Sequence, residues 1–334
     1  MIDKGAADHV FVYHEVGLQN HAAEINRKIQ ALLLNIQDDI LGQIRKDFDW
    51  ASKSPARMRD LRRVIAELQR EAQKALRKDM RADLVDLADY ESSWAAGYYG
   101  KMIEATIALR KPSASMLKSF VTSNPFQGET LSAWARKMEK NQLERINRQL
   151  VIGMGEGEDV GEIVNRLKGT RALKYRDGQF AKDARGAEAL VRTAVNHVSN
   201  QAHKQIGIDH SEEFPRYRWS SVLDHRTSPI CRTRAGRIYD TGDGPVPPAH
   251  WNCRSRIAYI SRYNDWDEEE PVYAHWLKDQ PRDIVEDVLG KTRAKLYLEG
   301  KLPIDRFTNK SGVQWTLAEL RQKEKKVWER TFGK

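Results

Sequence analysis

Over the first hundred residues apolar positions recur at steps of three and four. Ile25, Ile29, Leu32, Ile36, Ile40, Ile44 and Phe48 fall on one helical stripe. Ser54-Pro55 then reads as an N-cap followed by proline at the first helical position. Behind it Met58, Leu61, Ile65, Leu68, Ala72, Leu76 and Met80 form a second stripe, flanked by Arg, Lys, Glu and Gln. A third helix is expected over residues 91–109, stopping before Lys111-Pro112 because a residue preceding proline avoids the helical region. Residues 113–128, with Asn124-Pro125 and Gly128, carry turn chemistry and read as a boundary. A new helix opens near Thr130, turns Leu131, Trp134, Met138, Ile146 and Leu150 inward, and ends at Gly153, Gly155 and Gly157. Asp159 and Glu162 make a capping box ahead of a short helix at 161–167. Residues 168–183 are polar and read as a loop. Residues 184–206 return to helix, with Ala187, Leu190, Val191, Ala194, Val198 and Ala202 on one side.

After Gly207 the period shortens to two. Tyr217, Trp219 and Ser221 alternate with Arg218, Ser220 and Val222, and short β-like runs follow at residues 237–239 and 256–260. Between those runs lies a loop built on Gly242, Gly244, Pro245, Pro247 and Pro248. Residues 281–334 turn helical again, with Thr316 and Glu319 as a second capping box. The expected fold is α+β: a mainly helical N-terminal region at 1–127, a small α+β domain with short strands at 128–263, and a charged helical tail at 264–334.

Composition narrows the function. The 334 residues suit two or three domains, and 40% hydrophobic content can bury a sizeable core. The longest uncharged apolar runs fall far short of the roughly 20 residues a bilayer span needs, so no membrane partner is expected. The N-terminus lacks the apolar core of a secretory signal, so export by that route is not expected. Net charge is +9, and residues 306–334 hold eight Lys/Arg against three Glu, a surplus of five. Just upstream, residues 265–270 carry five acids. In the tail Leu317, Leu320, Val327 and Trp328 form an apolar stripe. Lys323, Lys325, Lys326 and Arg330 present a positive field suited to nucleic acid or an acidic surface, or else a solvated helix face.

The densest unusual chemistry lies between Asp224 and Arg256. Both cysteines, Cys231 and Cys253, are there, and His250 stands three before Cys253. Two short sets of ligand-type residues held apart by a turn-rich loop is a common way to build a zinc site. The candidate set is Cys231, His250 and Cys253 with Asp224 or His225 as fourth; the alternatives are a disulfide or two packed reduced thiols. Six arginines crowd the same segment, and Asp224, Arg226 and Arg254 read as a buried polar clamp, with a catalytic acid as the alternative. Gly153-Met-Gly-Glu-Gly follows a helix and is a helix stop, not a dinucleotide fingerprint. No Walker-type, nucleophile-elbow or His-Glu-x-x-His motif is present. His197 and His203, six apart on one helix, cannot share a ligand and are expected at the surface or core edge.

One ordered set of residues is more specific. Arg192-Thr193, Asn196 and Asn200 lie on a helix, followed by Trp219 and by Asp224-x-Arg226-Thr-Ser-Pro-x-Cys231. Gly236-Arg-x-Tyr239 comes next, then Pro247-Pro248-x-His250-x-x-Cys253-Arg254. This order resembles the phage Mu protein F-like domain of head morphogenesis (minor capsid) proteins, over about residues 128–263. The resemblance implies a minor structural protein of a tailed-phage or prophage virion and no catalytic activity. It implies the portal, scaffold or major capsid protein as partners, packaged double-stranded DNA as a further one, and host cytoplasm then virion as location, at the head interior or portal vertex. Ser228 and Ser255 stand where many relatives have cysteine, so a four-thiolate metal site is impossible in this chain. The rival readings are a metal-dependent hydrolase or toxin-associated enzyme, and a basic DNA-binding accessory protein.

Overall fold

The computed structural model describes residues 4–103, 109–263, 272–309 and 313–333. The acidic run at 265–270, Lys310 and the predicted helix end at 104–108 lie outside the described residues. Of the described residues 69% are helical, and they hold a three-stranded antiparallel sheet, the mainly helical α+β class that the periodicity predicts.

The chain divides into two compact units. One comprises Gly5–Glu91 and Ser113–Ser199; the other comprises Met1–Lys4, Ser92–Pro112 and Asn200–Lys334. Among its described residues the first unit is built mainly of helices, two of which run on into the second unit. α1 (Lys4–Ala51) and α2 (Pro55–Met102) are 48 residues each. Ser54 Oγ accepts from the Arg57 amide, so the Ser-Pro start forms as expected. The predicted third helix is not separate: it continues α2, because neither glycine nor proline falls in residues 81–96. α3 (Ala114–Thr122) occupies the stretch read as a boundary. Its nine residues sit between Pro112 and Asn124-Pro125, too short for periodicity to stand out, yet Ser113 caps it and Leu117, Phe120 and Val121 are buried.

α4 (Leu131–Glu156) is capped by Thr130 and ends on Gly157 in the left-handed region at φ 68°. α5 (Val160–Lys168) starts at the Asp159–Glu162 capping box. α6 (Gln179–Asp209) begins five residues earlier than the pattern predicts. Polar contacts tie this unit's helices: Gln30 to the Ala184 carbonyl, Arg62 to Asn147, and Arg77 to Glu139. In the middle of α2 the buried face passes through Gln69 and Gln73, whose amides both donate to Gln142 of α4.

The second unit carries the sheet. β1 (Arg216–Ser220) is central, and two further strands pair antiparallel on either side of it, β2 (Ile238–Asp240) and β3 (Arg256–Ile260). α7 (Pro229–Arg234) lies between β1 and β2 in sequence. The alternation is as predicted: Tyr217 and Trp219 of β1 are buried. β3 is an outer strand of the sheet, and side chains meet its backbone. The Ile257 amide donates to Asn200 Oδ1 at 3.1 Å and the Tyr259 amide to Tyr99 Oη at 3.5 Å. Gly207 of α6 lets the Tyr259 ring approach; a Cβ there would fall 1.9 Å from it.

Beyond the sheet, α8 (Val272–Lys278), α9 (Arg282–Leu289), α10 (Lys291–Leu298) and a 3-10 turn at Ile304–Phe307 wrap a second apolar cluster. α11 (Leu317–Lys323) and α12 (Lys325–Phe332) follow, so the predicted tail helix is broken at Glu324. Leu320 is fully buried in the cluster, and Val327 and Trp328 pack against it; Leu317 points away and is exposed.

Candidate functional site

Of the residues on α6, Arg192 is exposed and pairs with Glu188 at 2.6 Å, whereas Asn196 and Asn200 are buried. His197 and His203 are also buried, which corrects the expectation of surface positions. Residues 193–200 are buried without a break, so α6 is surrounded there and has no solvent face to display a hydrophobic stripe against. Burial drives the His197 pKa down to about 4, against opposing hydrogen bonds at Phe120 and Asn124.

β1 delivers Trp219, whose indole N–H donates to Ser221 Oγ at 3.0 Å while the Arg234 guanidinium lies 5.0 Å from its ring centroid. Gly236 sits at φ 87° and donates to the Trp219 carbonyl, extending the β1–β2 pairing through a conformation that favours glycine. Tyr239 on β2 stands opposite Tyr217.

The loop after β1 is organised by Asp224. Its two carboxylate oxygens accept from the two terminal nitrogens of Arg254 at 2.6 and 2.7 Å, a fork. One oxygen also accepts from the Arg226 amide and the Thr227 hydroxyl. Partial burial alone would raise the Asp224 carboxyl, but the Arg254 bonds, the Thr227 hydroxyl and the Arg226 amide outweigh it and hold the pKa at about 2. The clamp differs from expectation in two ways. Asp224 and Arg254 are each 25% exposed, and the Arg226 side chain is 71% exposed at 3.7 Å. Arg226 contributes its backbone amide because a long side chain at the loop surface remains hydrated. Tyr273 Oη donates to the Asp224 carbonyl, and Arg232 donates to the carbonyls of Val288 and His225, so α8 and α9 are tied to this loop.

α7 and the β2–β3 loop bring the two cysteines together. Cys231 lies one turn into α7; Cys253 closes a turn whose amide donates to the His250 carbonyl. Their Sγ atoms are 3.8 Å apart, both are buried, and both are free thiols. With Trp219 they form a small buried cluster under Ile230, Tyr239 and Ala249. Gly244 permits that loop path, since a Cβ there would meet Tyr217 Oη at 2.1 Å. Pro248 follows Pro247 through a cis bond. His250 Nε2 is 3.2 Å from Cys231 Sγ and 2.7 Å from Ser228 Oγ, and Nδ1 is 2.8 Å from the Trp251 carbonyl. A carbonyl only accepts, so Nδ1 carries a proton, and Nε2 faces the thiols and the Ser228 hydroxyl. The contact with Cys231 holds the Cys253 thiol well below its ordinary range, with burial opposing and His250 adding to the effect. The same contact, with burial, raises Cys231, and the Cys253 contact raises His250.

Cys231, His250 and Cys253 place their ligand atoms within 4.8 Å of one another. Asp224, the fourth candidate ligand, does not join them, because Arg254 occupies both its oxygens. In its place stand two hydroxyls that spacing did not mark as site residues: Ser228, 2.7 Å from His250 Nε2, and Ser255, linked at 2.9 Å to Ser221, which itself reaches the Cys231 carbonyl. A cavity of about 420 Å³ in the same unit is lined by Arg232, Arg237, His275, Lys278, Tyr297 and Asp305 among others, and none of the cysteine trio borders it. The tail cations Lys323, Lys325, Lys326 and Arg330 are all exposed. Lys323 covers the Trp315 ring at 4.2 Å, and Lys325 reaches Glu329 at 4.0 Å. Among the described residues no helix is long and apolar enough to cross a membrane.

Residues 117–258 match the family model described as Phage Mu protein F like protein, a span that runs from within α3 to within β3 and holds every motif residue from Arg192 to Arg254. No curated protein and no solved structure matches the chain.

Proposed function

We propose that this chain, whose residues 117–258 belong to the Phage Mu protein F-like family, is a minor structural protein of a tailed-phage or prophage virion, acting in head morphogenesis beside the portal. The observation that carries the reading is the family match over the segment that holds the motif residues. Their roles in the fold are structural ones. Asn200 satisfies the β3 edge, Asp224 and Arg254 pin a loop, Gly236 extends a strand pairing, and Trp219 packs under both cysteines. Such a scaffold presents surfaces to partners and carries out no bond chemistry. On this reading the helical residues 1–127 meet the portal or capsid, residues 128–263 are the family domain, and residues 264–334 present the basic face to packaged DNA.

The test is quantitative mass spectrometry of purified procapsids, mature virions and particles emptied of DNA. The chain is expected in particles at a copy number well below that of the major capsid protein. Absence from both procapsids and virions would remove the structural assignment. Loss from emptied particles would mark it as ejected with the DNA.

A further inference from the structure

We propose that Cys231, His250 and Cys253 form a three-ligand site for one thiophilic divalent cation of the zinc class, with the fourth position beside the Ser228 hydroxyl. Tetrahedral zinc holds sulfur at about 2.3 Å and imidazole nitrogen at about 2.0–2.1 Å. Two sulfurs on such an ion stand about 3.8 Å apart, and a sulfur and a nitrogen about 3.6 Å. The Sγ–Sγ separation here is 3.8 Å, and Cys231 Sγ lies 3.2 Å from His250 Nε2. The pair therefore already has the spacing of two metal ligands, well beyond the roughly 2.05 Å of a disulfide.

The surroundings fit the same reading. The Trp251 carbonyl takes the Nδ1 proton of His250, the arrangement that fixes the tautomer and aim of a metal-binding imidazole. Trp219 floors the site with apolar surface, and both thiols are buried. Ser228 Oγ lies 2.7 Å from Nε2, so its hydroxyl, or a water it holds, faces the fourth corner of the tetrahedron. A bound ion would cross-link the start of α7 to the loop before β3.

The experiment uses the full-length chain, purified under reductant and titrated with cobalt(II) and zinc(II). One equivalent of cobalt is expected, with a thiolate-to-metal charge-transfer band and the visible spectrum of a four-coordinate ion, displaced by zinc. Affinity should fall as pH is lowered, because the ligands must give up protons. Cys253→Ser and His250→Gln should each weaken binding by more than about tenfold, whereas Asp224→Asn should leave one equivalent bound. X-ray absorption of the wild-type zinc form needs no variant to fold. It should give two sulfurs and one imidazole nitrogen, with an oxygen as the fourth neighbour. Failure of the wild type to take up one equivalent, a shell without two sulfurs, or undiminished binding in Cys253→Ser would overturn the site. Loss of the ion in Asp224→Asn would overturn the ligand set.

Discussion

At the scale of single residues, partial exposure sets the energies. The Asp224–Arg254 fork is well formed, but each partner is 25% exposed. A fully buried pair broken on one side costs about 3–5 kcal/mol; solvent reaches this one, so Arg254→Ala should cost roughly 1–2 kcal/mol. Urea unfolding of that variant, beside Arg226→Ala at under roughly 0.5 kcal/mol, checks the ranking. Equal losses would mean that Arg226 belongs to the clamp after all. His197 supplies the pH dependence. Its folded pKa, pushed down to about 4 by burial, lies below the ordinary 6.5. Below pH 6.5 the unfolded chain takes up a proton that the folded chain refuses, so stability is present above pH 6.5 and drains away as pH falls toward 4. The loss approaches about 3 kcal/mol. In His197→Gln the urea midpoint should lose less between pH 7 and 4 than in the wild type; parallel curves would assign the acid sensitivity elsewhere.

At the scale of elements, local signals and burial divide the work. Capping boxes at Asp159 and Thr316 start α5 and α11 where the sequence places them, because a cap is satisfied within four residues. The path of α6 against β3 depends instead on Gly207, which lets Tyr259 close in and donate to the Lys204 carbonyl at 3.3 Å. Gly207→Ala lacks that room. The ring must move away from Tyr99 and Phe214, and the expected loss is about 1–3 kcal/mol despite the better helix propensity of alanine. A thermal midpoint unchanged or raised by the substitution would show that the ring relocates freely.

At the scale of the whole molecule the tail is part of a core. Leu320 is fully buried, and Val327 and Trp328 pack on the same cluster as Ala235 and Tyr273. Removing residues 313–334 therefore uncovers apolar surface in the sheet-bearing unit. Charge is better tested in place. Changing Lys323, Lys325, Lys326 and Arg330 to Gln leaves the apolar face intact. If this face meets DNA phosphates, the slope of log affinity against log salt should flatten by about 0.9 for each phosphate no longer neutralised, at an unchanged melting temperature. Identical slopes for both proteins in a filter-binding salt series would return these residues to ordinary solvated surface.

What the sequence determined by itself is whatever depends on neighbours a few residues away. The stripe from Ile25 to Phe48, the Ser54-Pro55 start, the Thr130 cap, the glycine stop after α4 and the alternation of Tyr217 and Trp219 all depend on backbone satisfaction and period, so the helical α+β class was legible. The ordered residues from Arg192 to Arg254 also marked the family segment. Tertiary structure decided what depends on packing. It continued α2 through the predicted gap and hid His197 and His203, because burial is set by residues distant in sequence. It broke the tail helix at Glu324 and turned Leu320 into the apolar cluster. At the candidate site, spacing proposed Cys231, His250 and Cys253, and folding gathered them. The Asp224–Arg254 pair was part of the clamp read from sequence; only the fold could leave the Arg226 side chain outside it and bring Ser228 to His250, because a carboxylate goes to whichever donor the folded chain holds in hydrogen-bonding reach.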